Sequence, residues 1–406
     1  MPGTLPDGAP VPPDGRLSPA SLDQLGALPL GIYVHVPFCA TRCGYCDFNT
    51  YTAVELGSGA SRDSYAGLAT AEVRLARKVL GPAAPPVSTV FFGGGTPTLL
   101  PPGDLGQILA AIEAEFGLAA DAEVTTEANP ESVDERSLAQ LRETGFTRIS
   151  LGMQSAAEHV LAVLDRTHSP GRAAQCVAWA RTAGFAHVSL DLIYGTPGES
   201  AEDWEQSLNS AIGAGPDHIS AYALTVEEGT RLAARVRRGE LAPPDDDEMA
   251  DRYLAAAELL AAAGMSWYEI SNWAAGPGSA CRHNLLYWSG GNWWGVGPGA
   301  HSHVGGTRWW NVRHPAAYAS RIAAGASPGQ AKEVLTEAQR RTERIMLETR
   351  LASGCPLTAL SVAGRRAAAT AVADGLAEPC AFSASRVVLT PAGRLLADAV
   401  IRGLTE

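Results

Sequence analysis

Three cysteines, Cys39, Cys43 and Cys46, lie within eight residues and are the side chains of this chain best suited to bind a metal centre. A [4Fe-4S] cluster usually takes four thiolates, so three thiolates from one short loop bind the cluster and leave one iron open to a small molecule. A zinc site would want a fourth ligand, usually in paired Cys-x2-Cys motifs. A thioredoxin-like pair at Cys43 and Cys46 would leave Cys39 unexplained. The spacing therefore favours an iron–sulfur cluster over these two alternatives.

A second group of candidate residues consists of glycines and polar side chains at or near the ends of β-type segments, with one arginine from a loop. They are Gly93, Gly94, Gly95, Thr96, Glu127, Gln154, Arg166 and Asp191. Glycines after a buried strand let the backbone approach a ligand closely and present N–H donors. A carboxylate can accept from an ammonium group, an arginine can clamp a carboxylate, and Gln or Asp can hydrogen-bond ribose hydroxyls. Taken singly, each residue is also typical of a turn, a helix cap or the surface.

Six β-type segments position these residues. The segments alternate with amphipathic helical stretches from residue 30 to about residue 270, which is the pattern of βα units around a parallel sheet. They are residues 32–36, 89–92, 123–127, 148–152, 187–193 and 218–224. In a barrel of such units the carboxyl ends of the strands share one face, so residues distant in sequence converge there. The chain is therefore predicted to be an α/β protein with a partial (βα)6 TIM-like barrel.

Composition divides the rest of the chain into three parts around this barrel, which we place at residues 30–275. Residues 1–29 are rich in Pro, Gly and Asp and are predicted to be a disordered leader. Residues 276–331 are rich in Gly and aromatic residues and are predicted to be a loop-rich segment. Residues 332–406 are predicted to form a small α-rich domain that resembles a winged helix.

The overall charge and the lack of long apolar segments restrict the partners and the compartment. The formal net charge is −12 without a cluster of Lys and Arg, which argues against nucleic acid as a partner. No stretch is apolar enough to span a bilayer, and the N-terminus lacks the features of a secretory signal. The chain is therefore predicted to stay in the cytoplasm, where its seven cysteines would not form disulfides. Cys176, Cys355 and Cys380 are predicted to be structural.

The cysteine loop YVHVPFCATRCGYCDF resembles the cluster loop of radical S-adenosylmethionine enzymes. Within them it resembles the branch that contains the oxygen-independent coproporphyrinogen III oxidases and the haem chaperones of the HemW type. The resemblance implies that S-adenosylmethionine binds the open iron, where it can be cleaved to a 5'-deoxyadenosyl radical. It also implies that Gly94, Gly95, Thr96, Glu127, Gln154, Arg166 and Asp191 bind this cofactor. Tyr33 and Tyr45 match positions that pack on the cofactor and shield the cluster, although alone they would be ordinary barrel core.

Two features favour the haem chaperones over the oxidases. The oxidases carry another cysteine two positions after the third ligand, whereas this chain has Phe48 there. HNLLYW, at residues 283–288, resembles the HNxxYW motif of the haem chaperones, and His283 could supply an axial ligand within an aromatic enclosure. The expected enclosure is Tyr287, Trp288, Trp293 and Trp294, and the candidates for a second ligand are Cys281, His301 and His303. Without the resemblance, His283 would be interpreted as a core histidine of a packed loop.

The expected function is therefore that of a haem chaperone whose cofactors are a [4Fe-4S] cluster, S-adenosylmethionine and haem. Its expected partners are haem, an acceptor protein that could be membrane-associated, and an electron donor for the cluster. Radical oxidative decarboxylation of coproporphyrinogen III is the enzymatic alternative. A radical methyltransferase or cyclopropanase of the same branch is a further alternative.

Overall fold

The computed structural model describes residues 7–56, 61–166, 169 and 171–406. The strands of this part are β1 (Ala9–Pro10), β2 (Leu30–Val36), β3 (Val87–Gly94), β4 (Leu118–Ala128), β5 (Arg148–Gln154), β6 (His187–Tyr194), β7 (His218–Ala223), β8 (Ser266–Glu269), β9 (Asn272–Ala274), β10 (Asn292–Val296), β11 (His301–Val304), β12 (Thr307–Asn311), β13 (Gly329–Val334), β14 (Cys355–Pro356) and β15 (Arg386–Val387). Its α-helices are α1 (Pro19–Leu22), α2 (Arg62–Leu80), α3 (Pro102–Phe116), α4 (Glu135–Glu143), α5 (Glu158–Val163), α6 (Arg172–Ala183), α7 (Ala201–Gly213), α8 (Arg231–Arg237), α9 (Asp246–Ala262), α10 (Arg282–Trp288), α11 (Pro315–Ala323), α12 (Glu337–Glu348), α13 (Val362–Ala373), α14 (Pro379–Ser383), α15 (Pro391–Leu395) and α16 (Ala397–Thr405).

One mixed sheet organises the molecule. Within the described residues it has 13 strands in the order β1-β13-β12-β11-β10-β2-β3-β4-β5-β6-β7-β9-β8. Strands β2 to β7 are parallel neighbours in chain order and coincide with the six predicted segments. Nearly every residue of β2, LGIYVHV, is buried, as in a parallel strand covered on both faces. The predicted α/β class, with six parallel strands as the core of a partial barrel, is confirmed.

The helices that connect the parallel strands cover the outside of this sheet. Helices α2, α3, α4 and α6 pack against one another in chain order, and α7 packs against α9. Apolar side chains from the strands and from these helices form one large core. Because β2 to β7 run in the same direction, their carboxyl ends lie together, and the segments that follow them can form one site.

The segment 276–331 is not loop-rich, and the prediction for it is wrong. Strand β10 pairs in parallel with β2, and β11, β12 and β13 extend the main sheet as an antiparallel meander. The aromatic residues that we assigned to loops are alternating sheet residues, since Trp294 packs edge-to-face on Trp309 from β12 with 4.9 Å between ring centroids. The alternation of apolar and polar residues that identifies a strand in a sequence was obscured, because both faces of these strands carry aromatic or small residues.

The prediction of a disordered leader is wrong for residues 7–29, while residues 1–6 lie outside the described part of the chain. Strand β1 pairs with the edge strand β13, with Ala9 opposite Lys332. Leu25 is buried in the main core, and the hydroxyl of Ser21 lies 2.7 Å from that of Thr307. The leader stays ordered because it covers an otherwise open sheet edge, where extended proline is tolerated.

The last part of the chain has a second core of its own. Helices α12, α13 and α16 and the two-stranded sheet of β14 and β15 surround this core, and the unit is mainly α-helical as predicted. The predicted boundary at residue 332 is three residues early, because β13 runs to Val334 in the main sheet. Strands β8 and β9 form a hairpin whose second strand is antiparallel to β7. None of the helices in the described residues is long and apolar enough to cross a membrane.

Candidate functional site

The three cysteines lie on the loop that follows β2, and backbone hydrogen bonds fix this loop. Cys39 donates its N–H to the carbonyl of Tyr51 over 3.0 Å, and Gly44 donates to the carbonyl of Leu164 over 3.1 Å. All three thiols are free and partly exposed. Burial raises the pKa of Cys39 to about 11, so its thiol is protonated at neutral pH when no metal is bound.

The residues predicted from the sequence to bind the cluster or S-adenosylmethionine, together with His283, line one cavity at the carboxyl ends of the parallel strands. The cavity has a volume of about 770 Å³, which is within the range of about 300–1,000 Å³ for ligand sites. Its lining includes Cys39, Cys43, Cys46, Tyr33, Tyr45, Gly94, Gly95, Thr96, Glu127, Gln154, Arg166, Asp191 and His283. Among the described residues, no three His, Cys, Asp or Glu side chains converge as ligands of a single metal ion.

The glycine-rich turn at the end of β3 is shaped by close contacts. Gly94 has φ of +109°, and a methyl group added there would lie 2.5 Å from Cε1 of His35. Thr96 donates its N–H to the carbonyl of Phe38 over 2.7 Å, which ties the turn to the cysteine loop. Glycine is therefore required at position 94 both by the backbone conformation and by the available space.

Two carboxyl groups, Glu127 and Asp191, face this turn from β4 and β6. Glu127 accepts the N–H of Gly94 over 3.1 Å. Burial, with the nearby charge of Asp191, raises the pKa of Glu127 to about 7. Asp191 accepts from the hydroxyls of Ser150, at 2.8 Å, and Ser220, at 2.7 Å, while burial raises its pKa. The pair can thus accept hydrogen bonds from a cationic or hydroxyl-bearing ligand.

Arg166 links the cysteine loop to the end of β5. Its Nη1 lies 3.8 Å from Sγ of Cys43, and its Nη2 donates to the carbonyl of Gly152 over 3.1 Å. A methyl group at Gly152 would lie 2.6 Å from that same Nη2, so the glycine makes room for the guanidinium. The Nε atom of Arg166 is buried and has no hydrogen-bond partner among the described residues. An unpaired buried donor is costly, and an anionic ligand group would satisfy it.

His283 lies in the cavity wall, and both of its ring nitrogens are already engaged. Nδ1 is 2.8 Å from the hydroxyl of Thr89, and Nε2 is 2.8 Å from that of Tyr287. The ring stacks on Phe91 with 5.3 Å between centroids. Burial lowers the pKa of His283 to about 3, so the imidazole is neutral. Iron ligation by His283 would therefore require one of these hydrogen bonds to break.

The rest of the HNLLYW segment is held by two buried carboxylates. Burial raises the pKa of Glu269, and the nearby side chains of Asn284 and Trp288 partly offset this rise. Glu123 accepts the backbone N–H of His283 over 3.0 Å. The sequence analysis missed both carboxylates, although Glu123 could have been found because it shares its strand face with Glu127, four residues along β4.

A second cavity of about 720 Å³ adjoins the first. Tyr33, Phe48, Glu127 and Tyr287 line both cavities. Of the predicted aromatic enclosure, Tyr287 and Trp293 line this second cavity, whereas Trp294 lies in the core and Trp288 lines neither cavity. His301 and His303 also line it, together with Met346 and Leu347 from α12.

The remaining cysteines are distributed as follows. Cys281 is buried in the wall of the first cavity with Sγ 3.7 Å from Oε1 of Glu123. Cys176 and Cys355 are buried, as expected of structural residues, whereas Cys380 is exposed.

Comparisons with known proteins agree with this geometry. The sequence model of the Radical SAM superfamily matches residues 33–211. The haem chaperone HemW of Mycobacterium tuberculosis is 54% identical over 392 residues, which is 96% of this chain and 99% of the relative. The HemW of Escherichia coli K12 is 38% identical over 276 residues, covering 68% of this chain and 70% of the relative.

A solved structure shares the fold. The coproporphyrinogen III oxidase HemN of Escherichia coli superposes with a TM-score of 0.80 over 97% of this chain and 94% of that chain, at 20% sequence identity. At this identity the likeness shows the fold alone. The Mycobacterium tuberculosis HemW, in contrast, is similar over almost the whole length of the chain. The chain belongs to the HemW family of the radical S-adenosylmethionine superfamily.

Proposed function

We propose that Cys39, Cys43 and Cys46 bind a [4Fe-4S] cluster through three of its irons and leave the fourth open. The match to the Radical SAM superfamily covers all three cysteines. The three cysteines fit such a cluster, because each thiolate binds a different iron of the cubane. Their sulfur atoms therefore need not converge on one point. When bound, the cluster can deliver an electron to a ligand on its open iron.

S-adenosylmethionine is the proposed ligand of that iron. The carboxylate of Glu127 accepts from its amino group, and the unpaired Nε of Arg166 supports an anionic group nearby. The hydroxyl-accepting Asp191 and Gln154 bind the ribose, and the glycines at 94 and 95 with Thr96 let the backbone approach the methionine portion. Tyr33 and Tyr45 pack on the cofactor and exclude water.

The function that the site supports best is haem binding and delivery to an acceptor protein. The observation that carries this proposal is the second cavity, a chamber with aromatic and aliphatic walls that adjoins the cofactor cavity and shares wall residues with it. The relatives named haem chaperone HemW support it with 54% identity over 96% of the chain. Phe48, on the wall of both cavities, supplies no thiol where the oxidases have a cysteine.

The division of labour within the chain follows from this proposal. Residues 30–275 supply the cluster and S-adenosylmethionine site and part of the wall of the haem cavity. Residues 276–331 supply the largest share of that wall, and the unit after Val334 closes the cavity with α12. We place the protein in the cytoplasm, where an electron donor reduces the cluster. The acceptor of haem, which could be membrane-associated, and the electron donor are the proposed protein partners.

Anaerobic reconstitution tests the function when iron content, haemin binding and protoporphyrinogen formation are then measured on one sample. The full chain should bind about four irons, bind haemin saturably, and form no protoporphyrinogen from coproporphyrinogen III with S-adenosylmethionine and reductant. Cys43→Ser should lose most of the iron, whereas Cys380→Ser, at an exposed thiol outside both cavities, should not. Haemin binding no stronger than that of a generic protein would exclude the chaperone function, and protoporphyrinogen formation would establish the oxidase.

A further inference from the structure

The second cavity contains a histidine whose geometry is that of an iron ligand. We propose that haem binds in this cavity and that Nε2 of His303 is its axial ligand, rather than His283 of the HNLLYW segment. The inference rests on the proposed haem-binding function and assigns a place and a ligand to it.

The tautomer of His303 is fixed by one hydrogen bond. Its Nδ1 lies 2.9 Å from the carbonyl oxygen of Gly291. A carbonyl only accepts, so Nδ1 carries the proton and Nε2 keeps its lone pair. Nε2 has no hydrogen-bond partner among the described residues. A metal-binding histidine commonly shows this arrangement, with its other ring nitrogen donating to a backbone carbonyl. Burial also lowers the pKa of His303, which keeps the ring neutral.

The other three histidines near the cavity are less suited to this role. His35 lines it, but its Nδ1 lies 3.0 Å from the hydroxyl of Tyr33 and its Nε2 lies 2.9 Å from the carbonyl oxygen of Asn49. Both ring nitrogens of His283 are bonded to hydroxyls, and His283 lines the first cavity only. His301 lies two residues before His303 on β11, so both side chains project from the same face of the strand. Its ring stacks on Trp310 with 5.9 Å between centroids, and no hydrogen bond among the described residues fixes its tautomer.

The surroundings of His303 suit a flat apolar ligand. Trp293 lies 5.1 Å from His303 between ring centroids and also contacts Tyr287 edge-to-face at 4.7 Å. Met346 and Leu347 of α12 form an aliphatic wall, and the cavity volume of about 720 Å³ is adequate for a macrocycle. Haem would thus be enclosed by residues of the meander and of α12.

Helix α12 is held against the meander by a network of ion pairs. Arg308 on β12 forms ion pairs with Glu333 of β13, at 2.7 Å, and with Glu343 of α12, at 2.6 Å. The wall formed by Met346 and Leu347 is therefore tied to the strands next to His303. His303 and the wall of α12 therefore form one site, which is made by the meander and by the C-terminal unit of the chain.

Haemin titration of the cluster-loaded full chain tests the proposal, with absorbance read as a difference spectrum against the same protein without haemin. His303→Ala should lose the Soret band of histidine-ligated haem and bind haemin at least about tenfold more weakly. Added imidazole should restore the band by filling the vacated position. His303→Met should shift the band rather than remove it, because methionine can also ligate haem iron. His301→Ala is the matched control and should retain the wild-type band.

Metal-free protoporphyrin IX separates ligation from packing. Its binding, read by fluorescence, should differ by less than about twofold between the wild type and His303→Ala, because the porphyrin offers no iron to His303. An equal loss of porphyrin and haemin binding would overturn the proposal in favour of a packing role. A wild-type band in His303→Ala, or loss of the band only in His283→Ala, would also overturn it and leave the haem-binding function intact. A wild type without saturable haemin binding would overturn both.

Discussion

Truncation of Glu123 should loosen the HNLLYW segment without disturbing the rest of the fold. Glu123 is 5% exposed and forms an ion pair at 3.6 Å with Arg148, which is 1% exposed. The same carboxylate accepts the backbone N–H groups of Arg282, at 3.2 Å, and His283, at 3.0 Å, in the first turn of α10. One side chain of β4 thus supports both a buried cation and the start of the helix that carries His283.

The magnitude follows from the two kinds of contact. Removing one partner of a buried ion pair costs about 3–5 kcal/mol, because the other charge is left uncompensated. Each backbone N–H that loses its acceptor adds about 1 kcal/mol. Part of the cost will be relieved by water, so we expect at least about 3 kcal/mol of lost local stability in Glu123→Ala. At 1.4 kcal/mol per factor of ten this corresponds to roughly a hundredfold faster opening of α10.

Hydrogen–deuterium exchange with peptide resolution measures this directly and does not require two-state unfolding of a large chain. Exchange in the peptide that covers residues 281–288 should accelerate about a hundredfold in Glu123→Ala. Exchange in α2 should stay at the wild-type rate. Glu123→Gln keeps one acceptor oxygen and should show a smaller change. Glu113→Ala, an exposed carboxylate on α3, is the matched control and should change neither peptide.

Exchange of residues 281–288 within about threefold of the wild type in Glu123→Ala would refute the reasoning. A second variant tests the cause of the effect. Arg148→Met in the Glu123→Ala background removes the unpaired buried cation, so it should recover part of the lost protection. If the double variant exchanges faster than Glu123→Ala, the buried charge is not the source of the instability.

Two further predictions concern the proposed S-adenosylmethionine site. Because the pKa of Glu127 is about 7, the ionised fraction of its carboxyl group falls about tenfold from pH 8 to pH 6. Calorimetry on the cluster-loaded protein should show that the affinity for S-adenosylmethionine falls by a similar factor. Glu127→Gln should flatten this pH dependence. Gly94→Ala should abolish that binding, since φ is +109° and its methyl group would meet His35. Gly81→Ala, at φ of +74° with open space around it, should cost only stability, by about 1–3 kcal/mol.

The parallel strands, and the convergence of the candidate cofactor residues at their ends, could be predicted from the sequence because the signals are local. Buried β-type runs such as residues 32–36 alternate with amphipathic helices, and the polar residues follow the strands at their carboxyl ends. The convergence of Cys39, Glu127 and Asp191 in one cavity then follows from parallel topology alone. For this part of the chain, the prediction did not require knowledge of which distant segments pair with one another.

The meander of β10 to β13 could not be predicted in this way, because its residues become extended strands only through contacts with segments far away in sequence. Strand β10 is recruited to the sheet by β2, more than 250 residues earlier, with Trp294 opposite Ile32. The sheet edge at β13 is covered by β1 near the N-terminus. Glycines and tryptophans next to one another resemble loop composition, and only the partner strands decide that these residues are extended.

This difference changes how the HNLLYW segment is interpreted. The sequence directs attention to His283, yet its two ring nitrogens and the backbone N–H at its position are all bonded within the protein. Through Tyr287 the segment also forms the wall between the two cavities. A residue whose polar atoms are all satisfied is suited to support a site. An exposed nitrogen with a fixed lone pair is suited to bind a metal, and in this cavity that atom belongs to His303, on a strand that the sequence pattern did not reveal.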